Sequence, residues 1–94
     1  ITSFADKESE KVFAGQFSRK LPRSIQSGAQ QKMIILNLTD DIMALWSMPG
    51  LRPEKLSGKR KGQWSIRINN QWRICFHWTD QPPQVSAVEI CDYH

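Results

Sequence analysis

The sequence predicts an α+β domain, with N-terminal helices packed on one face of a small, mainly antiparallel β-sheet. Apolar residues recur at helical steps in the first half of the chain and alternate with period two after Pro53. The chain has 94 residues, of which 39% are apolar. That length supports one hydrophobic core and leaves no room for a second, so residues 1–94 read as a single domain.

Residues 1–4 read as a short opening strand. Asp6 suits the N-cap of a helix over 7–14, because its carboxylate can accept from backbone N–H groups two or three residues on. Val12 and Phe13 point that helix inward, and Gly15 stops it. Pro22 fits a first helical turn. From there Ile25, Ala29, Met33 and Leu36 recur at steps of four, four and three, which predicts a helix with one buried face. Gln26, Gln30, Gln31 and Lys32 are expected on its wet side. Thr39 is the expected cap of a further helical piece, with Asp40 and Asp41 at its positive end and Ile42, Leu45 and Trp46 as its apolar side. Met48-Pro49-Gly50 ends it.

Trp64, Ile66 and Ile68 then alternate with polar residues, as do Trp72, Ile74, Phe76 and Trp78. These are two strands with one buried face each, joined by a turn at Asn69-Asn70-Gln71. A second turn at Asp80-Gln81-Pro82-Pro83 leads to a last strand over 85–91. A two-residue loop would set Ile66 against Arg73, whereas a three-residue loop pairs Ile68 with Trp72, Arg67 with Arg73 and Ile66 with Ile74. Burial selects the second register, since a one-residue slip moves every side chain to the other face. Arg67 and Arg73 are then expected side by side on an uncovered face, where like charges repel by roughly a few tenths to 1 kcal/mol.

Charge is concentrated in the same region. The chain carries +4 overall, but 52–73 holds seven Lys and Arg against Glu54 alone, which makes that stretch +6 and the remainder −2. Such an excess suits a polyanion such as nucleic acid. Cys75 and Cys91 lie in strand-like segments and read as buried thiols. With Cys75, His77, Cys91 and His94 as its softest ligands and no CxxC pair, the chain predicts no metal and no cofactor. The opening Ile1-Thr2-Ser3-Phe4-Ala5-Asp6 lacks the basic and apolar regions of a signal peptide, and nothing approaches the roughly 18 consecutive apolar residues of a membrane span. A cytoplasmic protein with no membrane partner is expected.

The pieces Leu56-Ser57-Gly58, Gly62 to Asn69, Gln71 to Trp78 and the closing Asp92-Tyr93-His94 together resemble the HigB branch of the RelE/ParE toxin superfamily, the plasmid maintenance system killer protein group. The helical half matches in layout, including the opening Ile-x-Ser-Phe. The resemblance implies a RelE-like fold and a type II toxin, a metal-independent endoribonuclease that cuts messenger RNA in the ribosome. It also implies a HigA-like helix-turn-helix antitoxin as partner, the complex binding operator DNA. Cleavage would proceed by attack of the RNA 2′-hydroxyl on the adjacent phosphorus.

The residues suit that chemistry. Arg73, and after it Arg67, can stabilise charge gathering on phosphate oxygens. Asp92 and His94 are candidates for proton transfer, with Tyr93 for stacking or proton transfer. Lys55, Lys59, Arg60 and Lys61 are expected to grip RNA backbone, messenger or ribosomal. Some relatives carry a histidine just before the Leu-x-Gly, where this chain has Leu51-Arg52-Pro53-Glu54-Lys55, so Glu54 is a further acid–base candidate. His77 reads as structural, and the tryptophans read mostly as core. Two other functions fit the same residues: a ParE-like poison of DNA gyrase and a basic RNA-binding module without catalysis.

Overall fold

The computed structural model describes residues 1–92. Among them are two α-helices, α1 (Lys7–Phe13) and α2 (Arg23–Leu38), and two 3₁₀ helices, Ile42–Ser47 and Gly58–Arg60. Four strands, β1 (Glu54–Lys55), β2 (Trp64–Arg67), β3 (Trp72–Asp80) and β4 (Pro83–Asp92), form one antiparallel sheet in the order β1-β2-β3-β4. No helix among the described residues is long and apolar enough to cross a membrane.

Local chemistry accounts for the helix ends. The Ser9 N–H donates to Asp6 Oδ1 at 2.7 Å, the predicted N-cap of α1. Thr39 does not cap the following piece; its hydroxyl donates to the Ile35 carbonyl at 2.7 Å, and Asp41 takes the capping role by accepting from the Met43 N–H at 2.9 Å. Asp41 has the extended backbone of an N-cap (φ −137°, ψ 114°) and sits directly before the first helical residue.

In α2 the predicted stripe of Ile25, Ala29, Met33 and Leu36 is buried. Gln26, expected in water, is buried beside it. Its amide donates to the carbonyls of Ser18 (2.7 Å) and Leu21 (3.0 Å) and accepts from the Ser18 N–H (3.0 Å). A loop folded against a helix needs its backbone groups satisfied, and Gln26 supplies both donor and acceptor.

The opening residues make a single parallel bridge, Phe4 to Val88, rather than a full strand. They reach β4 where it bulges. Cys75 faces Glu89 and His77 faces Ser86, so Phe76 alone opposes Ala87 and Val88, and Ala87 takes a φ of +51°. The extra residue lets Val85, Val88 and Ile90 all enter the core although strict alternation would turn Val85 away.

β2 and β3 pair in the predicted register, with Trp64 opposite Phe76, Ile66 opposite Ile74 and Arg67 opposite Arg73. The Ile68 N–H donates to the Trp72 carbonyl at 2.9 Å, closing the three-residue turn. Ile66, Ile74 and Phe76 are fully buried against Met33, Leu36 and Leu45. Each such side chain stabilises the fold by about 1.5–3 kcal/mol relative to exposure.

The second face of the sheet, expected open, is roofed. Leu56, Cys75 and Cys91 form a small buried cluster there, and Ser65 and Arg73 are buried with them. The segment after Leu51 does the covering: β1 pairs with the edge of β2, and Leu56 continues the ladder by donating to the Gln63 carbonyl at 2.9 Å. The cover is the basic connection itself, which includes the 3₁₀ helix Gly58–Arg60 and folds back on its own strand.

Gly28, inside α2, offers a direct test of the helix-on-sheet packing. A Cβ placed there would lie 3.8 Å from Ile68 Cγ2, an ordinary contact. Gly28→Ala is therefore expected to raise stability by about 0.5–1 kcal/mol through helix propensity, read as a higher urea midpoint at unchanged slope.

Candidate functional site

The site is built on the β2–β3 arginines. Side chains in a strand alternate between faces, so register alone puts Ser65, Arg67, Arg73, Cys75 and Cys91 on the roofed face, with Glu54 beside Ser65 on β1. Arg73 is 7% exposed. Its Nε donates to Ser65 Oγ at 2.7 Å, and its Nη2 donates to the carbonyls of Ser65 (3.3 Å) and Arg52. These acceptors replace the water that a buried guanidinium loses.

Arg52 has a φ of +44°. The left-handed region costs an L-residue roughly 1–2 kcal/mol, and here it accompanies a carbonyl turned onto Arg73. The preceding Leu51 carbonyl accepts from the Arg67 N–H at 2.7 Å, so residues 51 and 52 lock onto both arginine positions.

Arg67 is half-buried and turns the other way, its Nη2 donating to Asn70 Oδ1 in the turn. The cross-strand pair thus avoids the repulsion of two facing cations, because each guanidinium follows its own acceptors. Arg73 is held rigidly inside; Arg67 is the more accessible of the two.

Arg60 lies on the same side. Its guanidinium donates to both carboxylate oxygens of Glu89 at 3.2 Å and to Gln63 Oε1 at 3.1 Å. The hydrogen bond to Glu89 raises the pKa of Arg60. Both partners are about one-third exposed, so the pair contributes on the order of 0–1 kcal/mol, but its two-pronged geometry pins the roof over the thiol cluster. Beneath it, a hydrogen bond between the thiols lowers the pKa of Cys75, the nearby Arg60 and Arg73 acting the same way against burial. The same hydrogen bond and burial raise that of Cys91.

The remaining candidates are distributed more widely. Lys59 and Lys61 are exposed on the β1–β2 connection. Lys55 pairs with Trp64, on the face opposite Arg73, and its Nζ sits 5.0 Å from the centre of the Trp64 ring. Asp92 pairs with Trp72 rather than with an arginine, so the register sets it on the Trp72 face, and its Oδ2 accepts from Gln71 Nε2 at 3.2 Å. Tyr93 and His94 lie outside the described residues. His77 is half-buried opposite Ser86, beside the bulge. Trp46, read from sequence with the core, is 46% exposed and packs edge-on against Trp64.

Two contributors escaped the sequence reading. Ser65 was recoverable, since a small hydroxyl residue one register step from Arg73 on the same face is a natural acceptor. The Arg52 carbonyl carried no signal, because nothing in Leu51-Arg52-Pro53 announces a left-handed turn.

Residues 2–94 match the family model of the RelE-like toxin of the type II toxin-antitoxin system HigB. The chain is 37% identical over 78 residues to Toxin HigB-1 of Vibrio cholerae serotype O1, covering 82% of each chain. Two solved structures, both of the YoeB-YefM complex from Staphylococcus aureus and one of them titled a heterotetramer, are similar in fold. Their TM-scores are 0.55 and 0.54 at 17% and 19% identity, covering all of this chain and 97% of theirs.

Ser65→Ala tests the anchoring of Arg73. Removing the hydroxyl leaves a buried Nε–H without that acceptor and is expected to cost about 1–3 kcal/mol by urea denaturation. Ser24→Ala, at an exposed position in α2, is expected to stay within about 0.5 kcal/mol of the unsubstituted chain.

Proposed function

Since the chain belongs to the RelE-like HigB toxins of type II toxin-antitoxin systems, we propose that it acts as an endoribonuclease that cleaves messenger RNA on the ribosome and so stops translation in the cytoplasm. Its reaction needs no metal ion: the protein's own cations and titratable groups supply the charge and the proton transfers. A HigA-like helix-turn-helix antitoxin neutralises it, and the pair binds operator DNA. The likeness in fold to toxins solved with their antitoxins supports the existence of such a partner.

One observation carries the catalytic reading. Arg67 and Arg73 stand opposite each other across β2 and β3, and three hydrogen bonds to described residues fix Arg73. Arg73 also faces Cys91 on β4, the strand that runs on in sequence to Asp92, Tyr93 and His94. Guanidinium groups fixed in advance favour the charge that builds on phosphate oxygens in the transition state, because no reorganisation is needed as that charge appears. Arg73 provides the fixed field and Arg67 the guanidinium that meets the phosphate.

The step is an internal transfer. A base, for which His94 or Asp92 is the candidate, removes the 2′-hydroxyl proton. The 2′-oxygen forms a bond to the adjacent phosphorus and the bond from phosphorus to the 5′-oxygen breaks. The partner acid returns a proton to that oxygen, leaving a 2′,3′-cyclic phosphate and a 5′-hydroxyl. Tyr93 stacks on a base or assists the proton transfer, and Glu54, on the arginine face of β1, is a further acid–base group. Lys59 and Lys61 hold RNA backbone by charge alone, and Arg60 joins them to the extent that Glu89 releases it.

Primer extension on messenger RNA after brief induction separates this reading from its rivals. New 5′ ends inside translated codons are expected, reduced about 100-fold or more by Arg73→Ala, Arg67→Ala or His94→Ala. Lys59→Ala is expected to cost a few-fold and to grow more damaging as salt rises. Growth arrest with intact messages would replace the ribonuclease by a gyrase poison. Equal losses for Lys59→Ala and Arg73→Ala would reduce the protein to a binder of RNA.

A further inference from the structure

A cavity of about 480 Å³ opens at the end of β2 away from Arg67. Ile42, Lys55, Lys61, Gln63, Trp64 and Trp78 line it. Its size falls within the roughly 300–1,000 Å³ of small-molecule sites. We propose that this cavity is a second RNA-contact site that takes one unstacked nucleotide, its base on the indole wall and its phosphate on Lys55 and Lys61. The proposal rests on the ribonucleic-acid reading above and extends it to a site that Arg67 and Arg73 do not line.

The chemistry of the walls selects the ligand. Trp64 and Trp78 give aromatic surface, on which any base can stack. Lys55 already lies over the Trp64 ring at 5.0 Å from its centre, so cation and aromatic surface are presented together, as a base joined to a phosphate requires. Lys61 adds a second exposed ammonium, and Gln63, whose Oε1 accepts from Arg60, keeps its amide N–H groups to donate to a base edge. The lining acid, Asp80, accepts from the Trp78 Nε1–H at 2.6 Å, which holds that indole in place and engages one carboxylate oxygen. Trp46, edge-on to Trp64 at 5.3 Å between ring centres, buttresses the wall from the 3₁₀ helix Ile42–Ser47.

Position separates the cavity from the arginines. Lys55, Trp64 and Trp78 stand on the face of the sheet opposite Ser65 and Arg73. Trp64 and Arg67 are the two ends of β2, roughly 10 Å apart along the strand. The two nucleotides flanking a phosphate at Arg67 and Arg73 cannot also fill the cavity through the sheet. The nucleotide held there belongs to a more distant stretch of the same RNA or to a second RNA segment.

The test is titration of the full chain with adenosine 5′-monophosphate, followed by NMR of the tryptophan indole N–H signals. The Trp64 and Trp78 signals are expected to move on saturation while that of Trp72 stays. Lys55→Ala with Lys61→Ala, both exposed positions, is expected to weaken binding roughly tenfold, and adenosine without its phosphate to bind weaker still. Arg67→Ala, at the half-buried arginine that contacts the turn residue Asn70, is expected to leave the titration unchanged, so the outcome does not depend on whether the chain cleaves RNA. Indole signals that stay put at saturating nucleotide would overturn the proposal, as would binding lost in Arg67→Ala but kept in the lysine variant. So would movement of the same indoles by hexaglutamate and not by the nucleotide, which would make the cavity a dock for an acidic protein segment.

Discussion

A buried guanidinium has to find acceptors, and that demand organises the C-terminal half of this fold. Arg73 occupies a position that strand alternation assigns to the face away from the helices, and the register of the hairpin leaves it no alternative. Once residues 51–61 fold over it, its N–H groups need oxygen atoms in reach to replace lost water. Ser65 supplies two of them from the neighbouring strand, and Arg52 a third at the expense of a left-handed backbone. The roof and the arginine are therefore mutually dependent: the roof excludes water from Arg73, and Arg73 ties down the start of the roof.

This explains why half of the sheet was legible in the sequence and half was not. The helical face is written as periodicity, Ile25 to Leu36 at helical steps and Trp64 to Trp78 at steps of two, and the three-residue turn followed from asking which register buried all of them. The roof has no period to read. β1 is two charged, exposed residues, and its cover depends on Leu56, a left-handed Arg52 and an Arg60–Glu89 pair separated by 29 positions. Gln26 and Thr39 escaped for a related reason: a polar side chain that satisfies a neighbouring loop looks, in sequence, like one that faces water. The bulge at Ala87 was hidden because one extra residue breaks alternation without altering composition.

The candidate site divides along the same line. That Arg67 and Arg73 would meet was a consequence of parity and was readable; how deeply each would be buried depended on the roof and was not. The sequence grouped Lys55, Lys59, Arg60 and Lys61 as one basic run. In three dimensions that run separates, because a two-residue strand passes through its start and alternation sends Lys55 to the tryptophan face while Arg60 reaches back to Glu89. Asp92 is separated from the arginines by the same parity, one residue past the position that faces Arg73.

A local charge of +6 does not, then, act as one patch. Arg73 and Arg60 are engaged internally and stabilise the shape of the surface; Arg67, Lys59 and Lys61 remain half-buried or exposed; Lys55 is coupled to an indole on the far side. These groups are therefore presented at different places and with different geometry. The guanidinium groups offer fixed, directional donors suited to one phosphate in one orientation, whereas the lysines offer mobile point charges suited to backbone in any. Orientation matters for a reacting phosphate and much less for a held one. Arg67 and Arg73 stand on the rigid β2–β3 ladder, whereas Lys59 and Lys61 stand on the β1–β2 connection and Lys55 on the edge strand, so fixed donors and mobile charges are separated by the fold itself.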